Sequence, residues 1–311
     1  MKRFLVKLLI AAAVVEAANL LLLAARFAVM QKDVEETFSV PEGVQVVGVG
    51  NSHVGCTLSE ADEFRLKTIW DTGMSFPFHY IRFRELERRG VFDRVKVCVM
   101  DCDTPALDYF CKADAWQNAK WTLPFSWRYL DVVPISRASL VANLLSDVHF
   151  GMRFQLASDV PPDSKPWPTW TPDRKEIAMR GLYGRNWRTP FDWDSDCYLP
   201  DWRERFFGLV KDLQARCARH GVRLVFIMTP LASDDPGRTN PLIWNRISNM
   251  AERLREMGCE CHDYRTACPD DKFRDSGHLL RSSAHEFTKK FYEDVLKLPV
   301  GEKPVRADSR L

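Results

Sequence analysis

The sequence has almost no excess of charge of either sign. Its 44 Lys and Arg residues are balanced by 42 Asp and Glu residues, so the formal net charge is +2 over 311 residues. Without a strong basic field to attract a polyanion, the sequence predicts no nucleic-acid partner. Glycine is also scarce, at 15 residues, which excludes a collagen-like chain. With 46% hydrophobic residues, the composition is that of a globular protein whose core needs no metal ion or disulfide.

Polar residues are nearly missing from one N-terminal stretch. Within residues 8–30 only Glu16, Asn19 and Arg26 are not apolar. As a helix this stretch would reach about 34 Å, slightly more than the hydrocarbon core of a bilayer at about 30 Å. The sequence therefore predicts a transmembrane signal-anchor.

Basic residues set the predicted orientation of this anchor. Lys2, Arg3 and Lys7 precede the apolar stretch, so the N-terminus is expected in the cytoplasm and the globular part in the periplasm or outside the cell. A cleaved signal peptide remains an alternative, since small residues such as Ala24 and Ala25 lie near its end. An amphipathic surface helix is a third interpretation, which the scarcity of polar positions disfavours.

Composition divides the chain into four predicted segments. They are a cytoplasmic tip with the anchor (1–31), a linker (32–43), a catalytic-type domain (44–300) with a tryptophan-rich insertion at about 104–200, and a polar tail (301–311). The insertion holds seven of the ten tryptophans, and helices are expected near its residues 135–147. Such rings could stack on sugars or could simply bury the insertion against the rest of the domain.

Alternating short apolar runs and helical patterns predict an α/β fold. Strands are expected at 44–50, 67–71, 94–100, 222–228 and 259–263. Helices are expected after a cap at Thr57 and at 78–89, 201–220, 241–257 and 283–296. Strands separated by helices favour a parallel sheet that is covered on both faces. A site would then lie at the carboxyl ends of the strands.

Three residues suit nucleophilic catalysis. Ser52 follows the first predicted strand, and Asp275 and His278 lie three residues apart before the last helix. A serine hydroxyl needs a base, and an imidazole base needs a group that orients it. Asp275 is close enough in sequence to accept a hydrogen bond from the imidazole while the other ring nitrogen faces Ser52. Each residue taken alone also suits a helix cap or a turn.

These residues resemble the motifs of a known superfamily. Residues 49–53 (Val-Gly-Asn-Ser-His) are similar to the first motif of the SGNH/GDSL hydrolases, and residues 275–278 match the final Asp-x-x-His motif. The resemblance implies a three-layer αβα, flavodoxin-like fold. It also implies Ser52 as nucleophile, His278 as general base and then acid, and Asp275 as the residue that orients His278.

The resemblance further implies an oxyanion hole. Its donors would be the backbone N–H of Ser52 and Gly73, which follows the second strand. The third motif departs from the family, because Asp101, Cys102 and Asp103 stand where a Gly-x-Asn is expected. A carboxylate donates no hydrogen bond unless it is protonated, so the side chain of Asn51 is an alternative donor. In this departure and in the anchor, the sequence resembles the membrane-anchored, cell-envelope branch, whose members handle acyl groups on polysaccharides or related envelope polymers.

Other polar residues are expected to have supporting roles. His53 is predicted to be a pocket residue that points away from Ser52, His285 to be structural, and the basic segment 82–89 to be a solvated helix face. Cys259, Cys261 and His262, together with Cys268, only superficially resemble a metal cluster, and the alternation of Cys259 and Cys261 suits one face of a strand. We predict no metal and no cofactor.

The sequence thus predicts an extracytoplasmic serine esterase or O-acyltransferase that acts on acyl esters of a cell-envelope glycan through an acyl-serine intermediate. Its expected partners are an acylated carbohydrate or other ester, and the membrane through the N-terminal helix; an envelope acyl-transfer partner is left open. The alternative is a non-catalytic envelope protein that keeps the fold and binds a glycan or an assembly partner.

Overall fold

Five β-strands form one parallel sheet in the computed structural model of the protein. The structure describes residues 34–71, 76–102, 171–176 and 202–301, with scattered positions before residue 34 and at 129, 132 and 169. The strands are β1 (Val46–Asn51), β2 (Leu66–Asp71), β3 (Val97–Asp101), β4 (Arg223–Met228) and β5 (Glu260–Asp263). Their order is β2-β1-β3-β4-β5, and all neighbouring strands are parallel. The predicted α/β fold and its five strands are therefore confirmed.

Helices connect the strands and flank the sheet. They are α1 (Ser52–Thr57), α2 (Phe76–Arg88), α3 (Trp202–His220), α4 (Pro236–Thr239), α5 (Pro241–Glu256) and α6 (Arg281–Phe291), which continues as a π-helical turn (Tyr292–Leu296). Helix α1 contacts α6, and α2 contacts α3. This arrangement is consistent with three layers, in which helices cover the sheet.

The central strand β1 anchors the helix that carries Ser52. All six residues of β1 are buried, as expected for a β-branched run inside a parallel sheet. Val54 and Leu58 bury their side chains in the same hydrophobic cluster as Phe287 and Phe291 of α6. Burial of each such side chain is worth roughly 1.5–3 kcal/mol, so α1 is held firmly between the sheet and α6.

Helix α1 begins earlier than the sequence predicted. The pattern from Thr57 to Glu60 favoured a helix start at Thr57, but α1 begins at Ser52 and ends at Thr57. Asn51 is its N-cap, and the Asn51 Oδ1 atom accepts a hydrogen bond from the backbone N–H of His53 at 2.8 Å. Asparagine is among the preferred N-cap residues. The signal for the actual helix start was therefore Asn51, which competed with the cap signal at Thr57.

The predicted solvated face of α2 is wrong in part. Arg82 is buried, and its guanidinium donates a hydrogen bond to the backbone oxygen of Gly50 at 3.1 Å. Glu85 is also fully buried and accepts hydrogen bonds from Arg88 and Arg89. Two charged side chains of this segment therefore lie in the interior, because their hydrogen bonds offset the free-energy cost of burying them.

The predicted membrane anchor lies mostly outside the described residues. Among the residues that the structure describes, no helix is both long enough and apolar enough to cross a bilayer. The tryptophan-rich insertion and its helices near 135–147 also fall outside them, apart from a few positions.

The chain divides into two compact units. One comprises Met1–Ser39 and Trp116–Asp159, and the other comprises Val40–Ala115 and Val160–Leu311. The sheet and all the helices named above belong to the second unit. In the first unit, residues 34–37 of the predicted linker are helical, and Val34 is buried.

The described cysteines are free thiols. They are Cys56, Cys98, Cys102, Cys217, Cys259, Cys261 and Cys268. Cys259 and Cys261 are buried on either side of Glu260 at β5, which agrees with the strand interpretation of this segment. No group of three or more His, Cys, Asp or Glu side chains in the described part of the chain could hold a metal ion.

Candidate active site

The site lies where the parallel strands end. Ser52 follows β1 directly, and Thr229 follows β4. Because all five strands are parallel, their carboxyl ends share one edge of the sheet. The sequence prediction that Ser52 stands at this edge is therefore confirmed.

Two glycines let the backbone around Ser52 pack closely. A Cβ atom at Gly50 would lie 2.7 Å from a carboxylate oxygen of Asp101 and from Val54. A Cβ atom at Gly55 would overlap the indole ring of Trp70. The strand end and α1 can therefore approach their neighbours only because both positions lack a side chain.

The segment before α6 folds back on itself and brings Asp275 next to His278. The backbone N–H of Arg274 donates to the backbone oxygen of His278 at 2.9 Å, and that of Gly277 donates to Asp275 Oδ1 at 3.1 Å. The loop after β4 supports this turn, because the backbone N–H of Ala232 donates to the oxygen of Ser276 at 2.8 Å. We call residues 274–278 the catalytic loop, because they include two of the three candidate catalytic residues.

The catalytic loop completes a hydrogen-bonded chain with Ser52. His278 Nδ1 lies 2.7 Å from Asp275 Oδ1, and His278 Nε2 lies 2.9 Å from the hydroxyl oxygen of Ser52. Asp275 can thus accept the Nδ1 proton, which leaves Nε2 free to accept the hydroxyl proton of Ser52. His278 is only 6% exposed, whereas Ser52 is partly exposed. The structure brings all three predicted residues together in the order of a nucleophile, a base and an orienting carboxylate.

The surroundings hold both titratable groups of this chain below their ordinary pKa values. Burial disfavours the protonated ring, so the pKa of His278 is lowered from 6.5 although the charge of Asp275 opposes this. Burial alone would raise the pKa of Asp275, but the charge and hydrogen bond of His278 reverse the effect and lower it from 3.8. At neutral pH the imidazole is neutral and the carboxylate is ionised, as proton abstraction requires.

His53 lies against the catalytic loop, a position that agrees with the pocket location predicted for it. Its ring is 4.9 Å from the ring of His278, centroid to centroid, with an interplanar angle of 80°. Its Nδ1 atom lies 3.3 Å from the hydroxyl oxygen of Thr229 at the end of β4. The side chain is buried between α1, β4 and the loop.

The predicted oxyanion donors are only partly described. Ser52 is the first residue of α1, and backbone N–H groups in the first turn of a helix have no acceptor within the helix. This suits the Ser52 N–H to a developing oxyanion. Gly73 lies outside the described residues. The side-chain oxygen of Asn51 caps the N-terminus of α1. The structure therefore shows Asn51 as a helix cap, and its role as an oxyanion donor stays a prediction.

A buried pair that the sequence did not predict lies beneath Ser52. Asp101 Oδ2 accepts a hydrogen bond from the backbone N–H of Asn51 at 3.3 Å, and Asp101 Oδ1 is 3.0 Å from His79 Nδ1. Both side chains are fully buried. The carboxylate of Asp101 is therefore turned inward and holds the backbone that leads into Ser52. The sequence signal for this pair was an Asp at the end of a buried strand. The pair could not be predicted from that signal, because His79 on α2 is 22 residues away in sequence.

His285 lies away from this chain of hydrogen bonds. Its Nε2 atom is 2.6 Å from Glu63 Oε1, which fits the structural role predicted for it. Comparison of this chain with models of known protein families and with curated protein sequences finds no match.

Proposed function

We propose that the protein is a serine esterase or O-acyltransferase of the SGNH type. The observation that carries this proposal is the pair of hydrogen bonds from Ser52 to His278 and from His278 to Asp275, at 2.9 and 2.7 Å. The strand order β2-β1-β3-β4-β5 is that of flavodoxin-like sheets, which supports the SGNH resemblance. The departure from the family pattern concerns the third motif and does not involve Ser52, His278 or Asp275.

In the first half-reaction the hydroxyl oxygen of Ser52 attacks the carbonyl carbon of an ester, and its proton passes to His278 Nε2. The tetrahedral oxyanion would be stabilised by the backbone N–H of Ser52 and by a donor from the segment that includes Gly73. Loss of one such donor typically costs about 3–4 kcal/mol. His278 then returns the proton to the leaving alcohol, and the acyl group stays on Ser52.

In the second half-reaction a hydroxyl group attacks the acyl-serine. His278 takes the proton of the attacking group and gives it to Ser52 Oγ as the acyl bond breaks. Water as the attacker gives hydrolysis, and a sugar hydroxyl gives transfer. The same three residues serve both reactions, so access of the acceptor decides between them.

The substrate and location belong to the same proposal. We place the domain outside the cytoplasm on a signal-anchor at residues 8–30 and take an acylated cell-envelope glycan as its substrate. The apolar stretch, the basic residues before it and the resemblance to the envelope branch support this. No cofactor takes part, because the three side chains complete the proton transfers.

The decisive experiment is labelling of the full-length protein with a fluorophosphonate probe, followed by peptide mapping. In this reaction Ser52 Oγ bonds to phosphorus, fluoride leaves and His278 accepts the proton, so labelling reports an activated serine without knowledge of the substrate. We expect modification at Ser52. Ser52→Ala and His278→Ala should each lower the labelling rate at least about 10³-fold while far-UV circular dichroism stays unchanged.

A matched control is His285→Ala, which removes a histidine of α6 that pairs with Glu63 and is expected to label like the wild type. Failure of the folded wild type to label would contradict the proposal. It would favour the second candidate, a non-catalytic module that binds a glycan or an assembly partner. The observation behind that candidate is Asp101, which stands at the position of an expected oxyanion donor and is turned inward.

A further inference from the structure

A second histidine is built into the support of the proposed base. His53 is the residue after the nucleophile, and its ring lies edge-on to that of His278 at 4.9 Å and 80°. Edge-to-face contact at this separation is a favourable arrangement for two flat rings. The contact restricts rocking of the His278 ring about the line through Nδ1 and Nε2, a motion that the hydrogen bonds at these two atoms do not prevent.

The ring of His53 also lies directly on Gly277 of the catalytic loop. A Cβ atom at Gly277 would lie 2.9 Å from both Cε1 and Nε2 of His53, closer than real side chains approach. The loop can therefore pack on His53 only because residue 277 is glycine. This contact therefore lies between α1, which begins at Ser52, and the loop that carries His278.

His53 is itself held from two further directions. Its backbone N–H donates to Asn51 Oδ1 at 2.8 Å, and its Nδ1 atom is 3.3 Å from the hydroxyl oxygen of Thr229. It is 2% exposed. The ring is thus fixed by α1 and by the end of β4 before it contacts the loop.

We propose that His53 is a positioning residue that holds His278 and the catalytic loop at the correct distance and angle over Ser52. This inference rests on the proposed function. The ring acts by its shape and location, and it contacts the base rather than the reacting ester. Its effect should be largest once Ser52 is acylated, because the hydrogen bond from the serine hydroxyl to His278 is then absent.

The test is a double-mutant cycle read out as the fluorophosphonate labelling rate of the full-length protein. Gly277→Ala should slow labelling about 10–100-fold, because misplacement of catalytic groups by about 1 Å has effects of that size. His53→Ala should slow it similarly. In the double variant the new methyl group has room, so adding Gly277→Ala to His53→Ala should change the rate less than about threefold.

His53→Phe is the conservative variant, because it keeps a flat ring in the same space. It should restore labelling to within about threefold of the wild type, whereas His53→Asn, which keeps an amide that can bond Thr229, should not. This pair of variants decides the matter even if His53→Ala fails to fold. Thermal unfolding of each variant separates loss of activity from loss of structure.

The pH dependence of labelling is a further readout that a purely structural role would not move. Among the residues that the structure describes, the charged or titratable groups that act on His278 are Asp275 and Arg274 of the catalytic loop and His53 of α1, and His53 lowers the pKa of His278. In His53→Phe the acid limb of the profile should therefore shift to higher pH. Thr229, which faces His53 from β4, has no charge to contribute.

The outcomes separate the two proposals. A wild-type protein that does not label would overturn both of them. A wild type that labels, with additive effects of His53→Ala and Gly277→Ala or equal labelling of the Phe and Asn variants, would overturn the role of His53 alone.

Discussion

At the scale of single residues, His278 is a histidine whose surroundings disfavour its protonated form. Burial lowers its pKa from 6.5, and Arg274 and His53 act in the same direction. Only the neutral ring can take the proton of Ser52. We therefore expect the labelling rate to rise with pH around a midpoint below 6.5 and to stay level near neutrality. Measurement across about pH 4–8 checks this; a midpoint above 6.5 would contradict it.

Asp101 is the second residue whose environment leads to a prediction. Its Oδ2 atom accepts a hydrogen bond from the backbone N–H of Asn51, and its Oδ1 atom lies 3.0 Å from His79 Nδ1 in a fully buried pair. Asp101→Asn removes the carboxylate charge and replaces one of these oxygens with an amide nitrogen, so one of the two buried contacts loses its oxygen. We expect the free energy of unfolding to fall by about 1–3 kcal/mol in urea titrations. Labelling of Ser52 should slow as well, because the backbone before it is less firmly held.

At the scale of elements, α1 depends on a glycine that lets it lie against the edge strand. The indole of Trp70 in β2 occupies the space that a Cβ at Gly55 would need, and the ring is still 39% exposed. Gly55→Ala should displace the ring or the helix and destabilise the protein by about 1–3 kcal/mol. Chemical denaturation measures the change.

Gly208 is the matched control for Gly55. It also lies in a helix, α3, but nothing stands within 4 Å of its Cβ position. Gly208→Ala should stabilise the protein by about 0.5–1 kcal/mol, because alanine loses less backbone entropy on folding. If both substitutions shifted stability in the same direction, the close packing of α1 on Trp70 would not explain the result.

At the scale of the whole molecule, several carboxylates have lower pKa values in the folded state than in the unfolded state. Burial would raise the pKa of Asp263, but its hydrogen bonds to the buried Arg265, at 3.0 and 2.6 Å, lower it from 3.8. Burial likewise opposes the lowering of the pKa of Glu260, which its hydrogen bonds to Arg223 and His262 bring about.

Such groups contribute stability above their unfolded pKa and lose it as pH falls through the folded value. The free energy of unfolding should therefore decrease as the pH is lowered from about 5 towards 2. Asp263→Asn should make this decrease smaller and should lower stability at neutral pH, because Arg265 then lacks its carboxylate partner. Urea unfolding at a series of pH values tests this, and an unchanged slope in the variant would argue against it.

Local patterns were enough to predict most of the elements. The segments that form β1 and β4 are rich in apolar and β-branched residues, a composition that is typical of strands buried inside a parallel sheet. Glycines at the ends of α2 and α3 marked both helix ends, since Gly90 and Gly221 adopt positive φ angles of 69° and 64°. The start of α1 was missed because two cap signals compete within six residues.

The sequence by itself determined the fold class, the five strands and the three residues of the proposed triad, because these depend on short-range patterns and on residue types with one dominant chemistry. Only the tertiary structure decided which other groups meet them. His53 reaches Thr229 across 176 residues of sequence, and His79 of α2 lies 3.0 Å from Asp101 at the end of β3. Such pairs arise where buried polar groups must find partners. Their identity depends on how strands and helices pack, which no local pattern contains.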